Sequence, residues 1–223
     1  MNCDFIAPHY QTLEYASFGK SLERRRFAFL SAARASRSAI LCGGGDGRFL
    51  ARLLRANSEV RVDFVDLSAR MVDLAERRIA TMGRAFRARV RFHVADLRTF
   101  DPPQDAYDLI ATHFFLDCFT DREVADLAAQ FASWTAPQAQ WIVSEFQQAQ
   151  GRFAGLWTRL TIRALYAAFR VSADLRVTRL PHYEEALAVA GFSLQCREQA
   201  IGGLLRSSLW RRLPADGPKE RRH

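Results

Sequence analysis

Apolar positions along this chain follow two rhythms. Short, largely apolar runs at Ala39 to Cys42, Val60 to Val65, Arg89 to Val94, Tyr107 to Thr112 and Gln140 to Phe146 have the length and composition of strands. Between them, apolar residues recur every three or four positions, the spacing of one helix face. The first such stretch covers residues 12 to 35, with Leu13, Phe18, Leu22, Phe27, Phe29 and Leu30 on one side and Arg24 to Arg26 opposite. A second runs from about Asp46 to Ala56. A third extends from Asp66-Leu67-Ser68 to about Met82, with Ser68 placed as N-cap and Met71, Leu74, Ala75 and Ile79 on its inner face. Thr120 and Glu123 have capping-box spacing and open a fourth helix carrying Val124, Leu127, Ala128 and Phe131, which Pro137 is expected to end. Strands alternating with helices in this order imply right-handed crossovers and a parallel sheet.

The last third changes character. Phe153, Leu156, Trp157, Leu160, Leu165, Tyr166 and Phe169 make an aromatic-rich face, interrupted by Arg152, Arg159, Arg163 and Arg170. Pro181-His182-Tyr183 breaks it, and Glu184-Glu185 opens a helix to Ala190. Gly191-Phe192 starts a strand to Arg197, Ala200 to Gly203 turns, and Leu204 to Leu213 returns as the antiparallel partner. The fold class expected is α/β: a doubly wound, mostly parallel seven-stranded sheet with a C-terminal antiparallel hairpin and helices on both faces. One domain is expected over residues 1–213: a helical cap at 1–36, a ligand-binding core at 38–147, a helical lid at 151–190 and the hairpin at 191–213, with a basic tail at 214–223.

The chain is organised around Cys42-Gly43-Gly44-Gly45-Asp46-Gly47-Arg48, which joins the first strand to the second helix. Gly43, Gly45 and Gly47 alternate there, and such turns bring backbone close to a nucleotide-like ligand at a helix N-terminus. Asp66 ends the next strand 19 residues beyond Gly47, near the ~20-residue spacing of a ribose-binding acid. The run resembles motif I of the class I S-adenosylmethionine-dependent methyltransferases. Val62 to Ser68 is similar to the second motif, Val90 to Leu97 to the third and Tyr107 to His113 to the fourth, so the resemblance covers roughly residues 38 to 147. One position departs: where the family usually carries an acid, two residues before the first glycine, this chain has Leu41.

The resemblance implies S-adenosylmethionine as cofactor, with Gly43, Gly45 and Gly47 along it and Asp66 accepting its two ribose hydroxyls beside Leu67. It also implies Asp96 at the adenine amino group, the Leu97 backbone beside it, Met71 over the adenine face and Tyr10 or Tyr15 folding over from the N-terminal segment. Each assignment has a plainer alternative, because a strand-end acid can cap a helix and a buried Met or Tyr can simply pack. His113, at the carboxyl end of the fourth strand, is the first candidate general base, with Asp117 near enough to orient or replace it; His113 can equally touch the cofactor or cap the strand. His182 and Tyr183 are weaker candidates on the expected lid.

Composition narrows the partners. The hydrophobic share of 49% beside 25% charged residues is ordinary for a globular protein. Cys3, Cys42, Cys118 and Cys196 are scattered without zinc spacing, so no metal is expected and a reducing, cytoplasmic setting is the simple reading. Neither a signal peptide nor a membrane-length apolar run is read in the sequence. The net charge is +8, almost all of it arginine, since Lys20 and Lys219 are the two lysines. That charge is spread over many helices, so no specific nucleic acid is expected. Arginines on the aromatic segment can instead reach an anionic membrane surface when the acceptor is a lipid. The expected function is methyl transfer to a small, fairly apolar acceptor, O-methylation favoured, by a monomer or homodimer. An RNA methyltransferase and a non-catalytic cofactor-binding scaffold on the same fold are the alternatives.

Overall fold

The computed structural model describes residues 20–147 and 180–214. Tyr10, Tyr15, the first part of the N-terminal helix, the aromatic segment of the expected lid and the tail beyond Pro214 lie outside the described residues. Five strands run parallel in the order β3 (Val90–Val94), β2 (Arg61–Asp66), β1 (Ser38–Cys42), β4 (Tyr107–His113), β5 (Thr135–Phe146). β7 (Leu205–Arg212) then pairs antiparallel with β5, and β6 (Phe192–Ala200) pairs antiparallel with β7 at the far edge. Seven strands with one reversed is the sheet expected from the sequence.

Side-chain alternation splits the core between the two faces. Ala39, Leu41, Phe64, Leu109, Ala111 and Ile142 point to the face covered by α2 (Arg48–Ala56), α3 (Ala69–Ala80) and a 3-10 turn at Leu30–Ala35. Ile40, Cys42, Val65, Ile110, Trp141 and Val143 point to the other, covered by α5 (Asp121–Trp134) and α6 (Tyr183–Val189). Helices therefore lie on both faces. Strands buried on both sides read as unbroken apolar runs, which is why β1 and β2 were legible without alternation. The second face is held by an aromatic chain: Phe131 lies 4.9 Å from Trp134 and 5.3 Å from Trp141, which lies 5.1 Å from Phe192. Such pairs each contribute ~0.5–1.5 kcal/mol beyond area burial. The Trp141 indole N–H donates to Thr112 Oγ1 at 3.0 Å, so its burial leaves no donor unmet.

The caps formed as expected. Ser68 accepts from the Met71 amide at 3.2 Å, and Thr120 with Glu123 closes a capping box at the start of α5. Several boundaries moved. Within the described residues the expected helix over 12–35 is α1 (Ser21–Arg26) and the separate 3-10 turn, with a break at Phe27 to Phe29. On one continuous helix Phe27 and Phe29 would point roughly 200° apart. The break lets both pack, with Leu30, against the α2 face. Pro137 does not end α5, which stops at Trp134, where β5 begins directly. Thr135 is already extended, at φ −103° and ψ 136°. Pro137 sits inside the strand where the pairing to β4 shifts register, a position where its missing N–H costs no ladder bond. A short helix α4 (Arg84–Arg87), ahead of β3, was not anticipated.

Candidate active site

The strand order reverses between β1 and β4, so the crevice at the carboxyl ends of these two strands is the topological switch point. The glycine turn lies on its rim. Gly43, Gly45 and Gly47 have φ of 62°, 59° and 77°, all left-handed, where a side chain is strained. A Cβ on Gly43 would run into the Phe115 ring, and one on Gly47 would meet Ala75 on α3. At Gly45 it would meet nothing within 4 Å among the described residues, so this is where the turn opens outward. The turn is pinned from below by Asp46, whose carboxylate takes Arg48 Nε at 3.0 Å and Arg78 Nη2 at 3.2 Å, while its carbonyl accepts Arg78 Nε at 2.8 Å.

Asp66 ties the turn to β2. Its carboxylate accepts the Gly45 N–H at 3.0 Å through one oxygen and the Ser68 N–H at 2.9 Å through the other. A carboxylate is the group that can accept a pair of hydroxyls at once. Around it the surface is apolar and open: Leu67 is 41% exposed, and Val94, its neighbour at the end of β3, is 56% exposed. Uncovered apolar side chains beside a strand-end acid suit a flat heterocycle attached to a ribose. Asp96 lies on the same rim, and its carboxylate is clasped by Arg98 through Nε at 3.0 and 3.1 Å and Nη2 at 2.6 Å. That clasp holds the carboxyl below the usual carboxylate range. Leu97 and Met71 are buried in the core, their side chains away from solvent. Leu41 is buried in the α2-side cluster among residues such as Phe49 and Leu50, so its side chain stands behind the turn. The residue types at this rim, a strand-end acid beside exposed Leu67 and Val94, are ones that would suit the ribose and adenine of S-adenosylmethionine.

The two base candidates part company. His113, the last residue of β4, turns its ring to the α2 face, 4.3 Å from the Phe49 ring. Its Nδ1 shares a hydrogen bond with Ser144 Oγ at 3.0 Å, and its buried Nε2 has no partner among the described residues. Burial, reinforced by the nearby Arg26 charge, holds its pKa well below the usual histidine value, so the ring is neutral. Asp117 is on the opposite side, in the 3-10 turn Leu116–Cys118 that follows β4. Burial pushes its carboxyl up to about 6, against the opposing hydrogen bond from the Cys118 thiol, 3.6 Å away.

Beside Asp117 lies a residue the sequence reading passed over. Glu145, near the end of β5 and 1% exposed, accepts the N–H groups of Phe115 at 3.1 Å and Leu116 at 2.8 Å through Oε1. Its Oε2 is buried without a partner among the described residues. Burial, and after it the Asp117 charge, raises its pKa well above the usual glutamate value. The available signal was an acid closing an apolar strand, Trp141-Ile142-Val143-Ser144-Glu145, the same cue that singled out Asp66. Tyr183, the first residue of α6, is also buried, and burial pushes its phenol up. It lines a cavity of about 330 Å³ with Gln147, Pro181, His182, Glu184, Glu185 and Arg206. His182 itself is exposed, against Asp121. Among the described residues no group of three or more His, Cys, Asp or Glu could hold a metal ion, and no helix is long and apolar enough to cross a membrane.

A doubly wound sheet with a glycine turn and a strand-end acid at its switch point is the arrangement in which α/β folds receive nucleotide-like ligands. Residues 42–140, a little under half of the chain, match a family model described as a methyltransferase domain, within the stretch that carries the resemblance to class I S-adenosylmethionine-dependent methyltransferases. The chain is 34% identical over 80 residues to polyamine aminopropyltransferase 2 of Bacillus anthracis, a match that covers 34% of this chain and 22% of that protein. Among solved structures, the mitomycin 7-O-methyltransferase MmcR superposes with a TM-score of 0.68 at 16% identity, over 95% of this chain and 61% of its own. The S-adenosylmethionine-dependent methyltransferase SibL, in its apo form, gives 0.68 at 20% identity, over 92% of this chain and 58% of its own. The chain thus spans about three fifths of these two structures, and at such identities the likeness speaks for the fold.

Proposed function

We propose that this protein is an S-adenosylmethionine-dependent methyltransferase acting on a small molecule, with O-methylation favoured. The observation that carries the reading is the glycine turn bonded through Gly45 to Asp66, with an open apolar rim at Leu67 and Val94. Gly43, Gly45, Asp66, Leu67, Asp96 and Leu97 would hold the cofactor, which when bound supplies a methyl group on a sulfonium sulfur. What the protein then contributes is position and dryness: the acceptor must lie in line, close and away from water. Asp117 is the residue we assign to receive the acceptor's proton. A carboxyl with a pKa of about 6 is mostly ionised at neutral pH and still basic enough to help, the match a general base needs. His113, neutral and packed on Phe49 with Ser144 at Nδ1, is the poorer candidate.

An apolar acceptor wall was expected from the aromatic segment, which lies outside the described residues. The cavity beside Tyr183 is lined instead by His182, Glu184, Glu185 and Arg206 as well as Tyr183, so the acceptor end described here is mixed in polarity. Partial identity to a polyamine aminopropyltransferase supports a second reading in which the acceptor is an amine. The matches favour neither RNA methylation nor a non-catalytic scaffold. Calorimetry with S-adenosylmethionine, followed by mass spectrometry of small molecules co-purified with the protein and of their methylated products, tests the reading. Absence of cofactor binding overturns it. Binding without any methylated product points to the scaffold.

A further inference from the structure

The turn after β4 has no regular ladder to hold it, yet it carries Asp117. Phe114 enters it with φ at 55°, and its amide is bonded to the Ser144 carbonyl at 2.6 Å. The next two amides, of Phe115 and Leu116, would be orphaned in the core without Glu145 Oε1. Phe115 in turn lies where a Gly43 Cβ would be, so the glycine turn, the Asp117 turn and Glu145 form one continuous packing chain. Glu145 Oε2 has no partner among the described residues, and a bare ionised oxygen cannot remain so in a dry interior.

We propose that Asp117 and Glu145 act as a unit, with Glu145 the positioning residue that anchors the turn and Asp117 the carboxylate that the turn presents to the acceptor's proton. This rests on the methyltransfer reading given above. The pair holds one proton near neutral pH. It stays on Glu145, where burial and the Asp117 charge both favour the neutral form, and leaves Asp117 ionised. In the reaction the acceptor's O–H proton passes to Asp117, its bonding pair stays on the acceptor oxygen, and Asp117 becomes neutral. Burial keeps Glu145 protonated throughout, so the proton is lost again from Asp117 and the resting pair is restored.

Among the described residues, the groups facing this pair come from three elements. Cys118 donates to Asp117 from the turn itself. Tyr183 and Glu184 come from α6, and Arg206, opposite Glu145 in the β5–β7 register, is bonded to Glu184 at 2.7 Å. His113 and Arg26 lie across the sheet.

Side-chain carboxyl NMR titration of the free protein tests the proposal, comparing the unaltered chain with Asp117→Asn, Glu145→Gln and Glu145→Ala. Glu145 is expected to remain protonated at pH 7, and its midpoint to fall by roughly one unit or more in Asp117→Asn, where the like charge is gone. Glu145→Gln, which keeps an acceptor oxygen, should leave the Phe115 and Leu116 amide resonances in place. Glu145→Ala should displace them and return the Asp117 midpoint toward the ordinary aspartate range. Should Glu145→Ala not fold, the two amide variants decide the matter. A Glu145 that titrates like an exposed glutamate, or whose midpoint ignores Asp117→Asn, overturns the pair. None of these readouts requires substrate, so failure of methyl transfer and failure of the pair are separate results. Where turnover is measurable, the pH at which kcat/KM reaches half its plateau should follow the Asp117 midpoint from variant to variant.

Discussion

Among single residues, those adjacent in sequence to a strong local signal were readable and those assembled by the sheet were not. Asp66 was legible because the glycine turn precedes it by a nearly fixed spacing. If Asp66 accepts the two ribose hydroxyls as proposed, its replacement by Ala should lower S-adenosylmethionine affinity by ~1.5–3 kcal/mol in calorimetry, the range for hydrogen bonds to a charged group. The two glycines on either side of Asp46 separate fold from ligand. Gly47→Ala combines a left-handed φ, at a cost of ~1–2 kcal/mol, with a collision against Ala75, and should lower the melting temperature sharply. Gly45→Ala carries the φ cost alone, and its methyl points into open space, so it should lose cofactor affinity out of proportion to stability. Glu145 was missed because nothing near it in sequence announces Asp117. Only the pairing of His113 with Ser144, set by strand register, brings the two together.

At the scale of elements, the sequence was reliable wherever one physical rule acted alone. Ser68 and the Thr120–Glu123 box set helix starts through local hydrogen bonds, and both starts were placed correctly. Pro137 misled because a helix stop and a strand irregularity both admit proline, and only tertiary pairing decides between them. Asp63 on β2 shows what such pairing adds. Buried at 3% exposure, it binds Arg91 at 2.6 Å, His93 at 2.7 Å and the Tyr107 hydroxyl at 2.9 Å, clasping β2 to β3 and β4. Burial alone would raise its pKa, but the three hydrogen bonds outweigh it and hold the carboxyl below the usual range. Asp63→Asn should therefore cost ~1.5–3 kcal/mol in urea unfolding at neutral pH. A depressed folded pKa gives stability that is present above the unfolded value near ~3.9 and lost as pH falls through the folded one. The difference between the two proteins should accordingly narrow in acid.

For the molecule as a whole, the class of fold was legible from strand and helix order, because crossovers in a parallel sheet have one hand and one sheet results. The assembled site should report on ligand through global stability. Cofactor at a hundred times its Kd stabilises by ~2.7 kcal/mol, and at ~2–4 °C for each kcal/mol in a domain of this size the melting temperature should rise by roughly 5–10 °C. A thermal scan in which S-adenosylmethionine leaves the transition where it was would place the ligand elsewhere or nowhere. The order of the last strands has a consequence in time. β7 lies between β5 and β6 in the sheet, yet follows both in the chain. On the ribosome, β6 emerges with no strand to join, and the apolar rim of β5 stays unzipped until Leu205–Arg212 is synthesised. Vectorial folding must therefore wait on this strand, and a nascent chain halted before it presents a bare edge that another such chain can pair with.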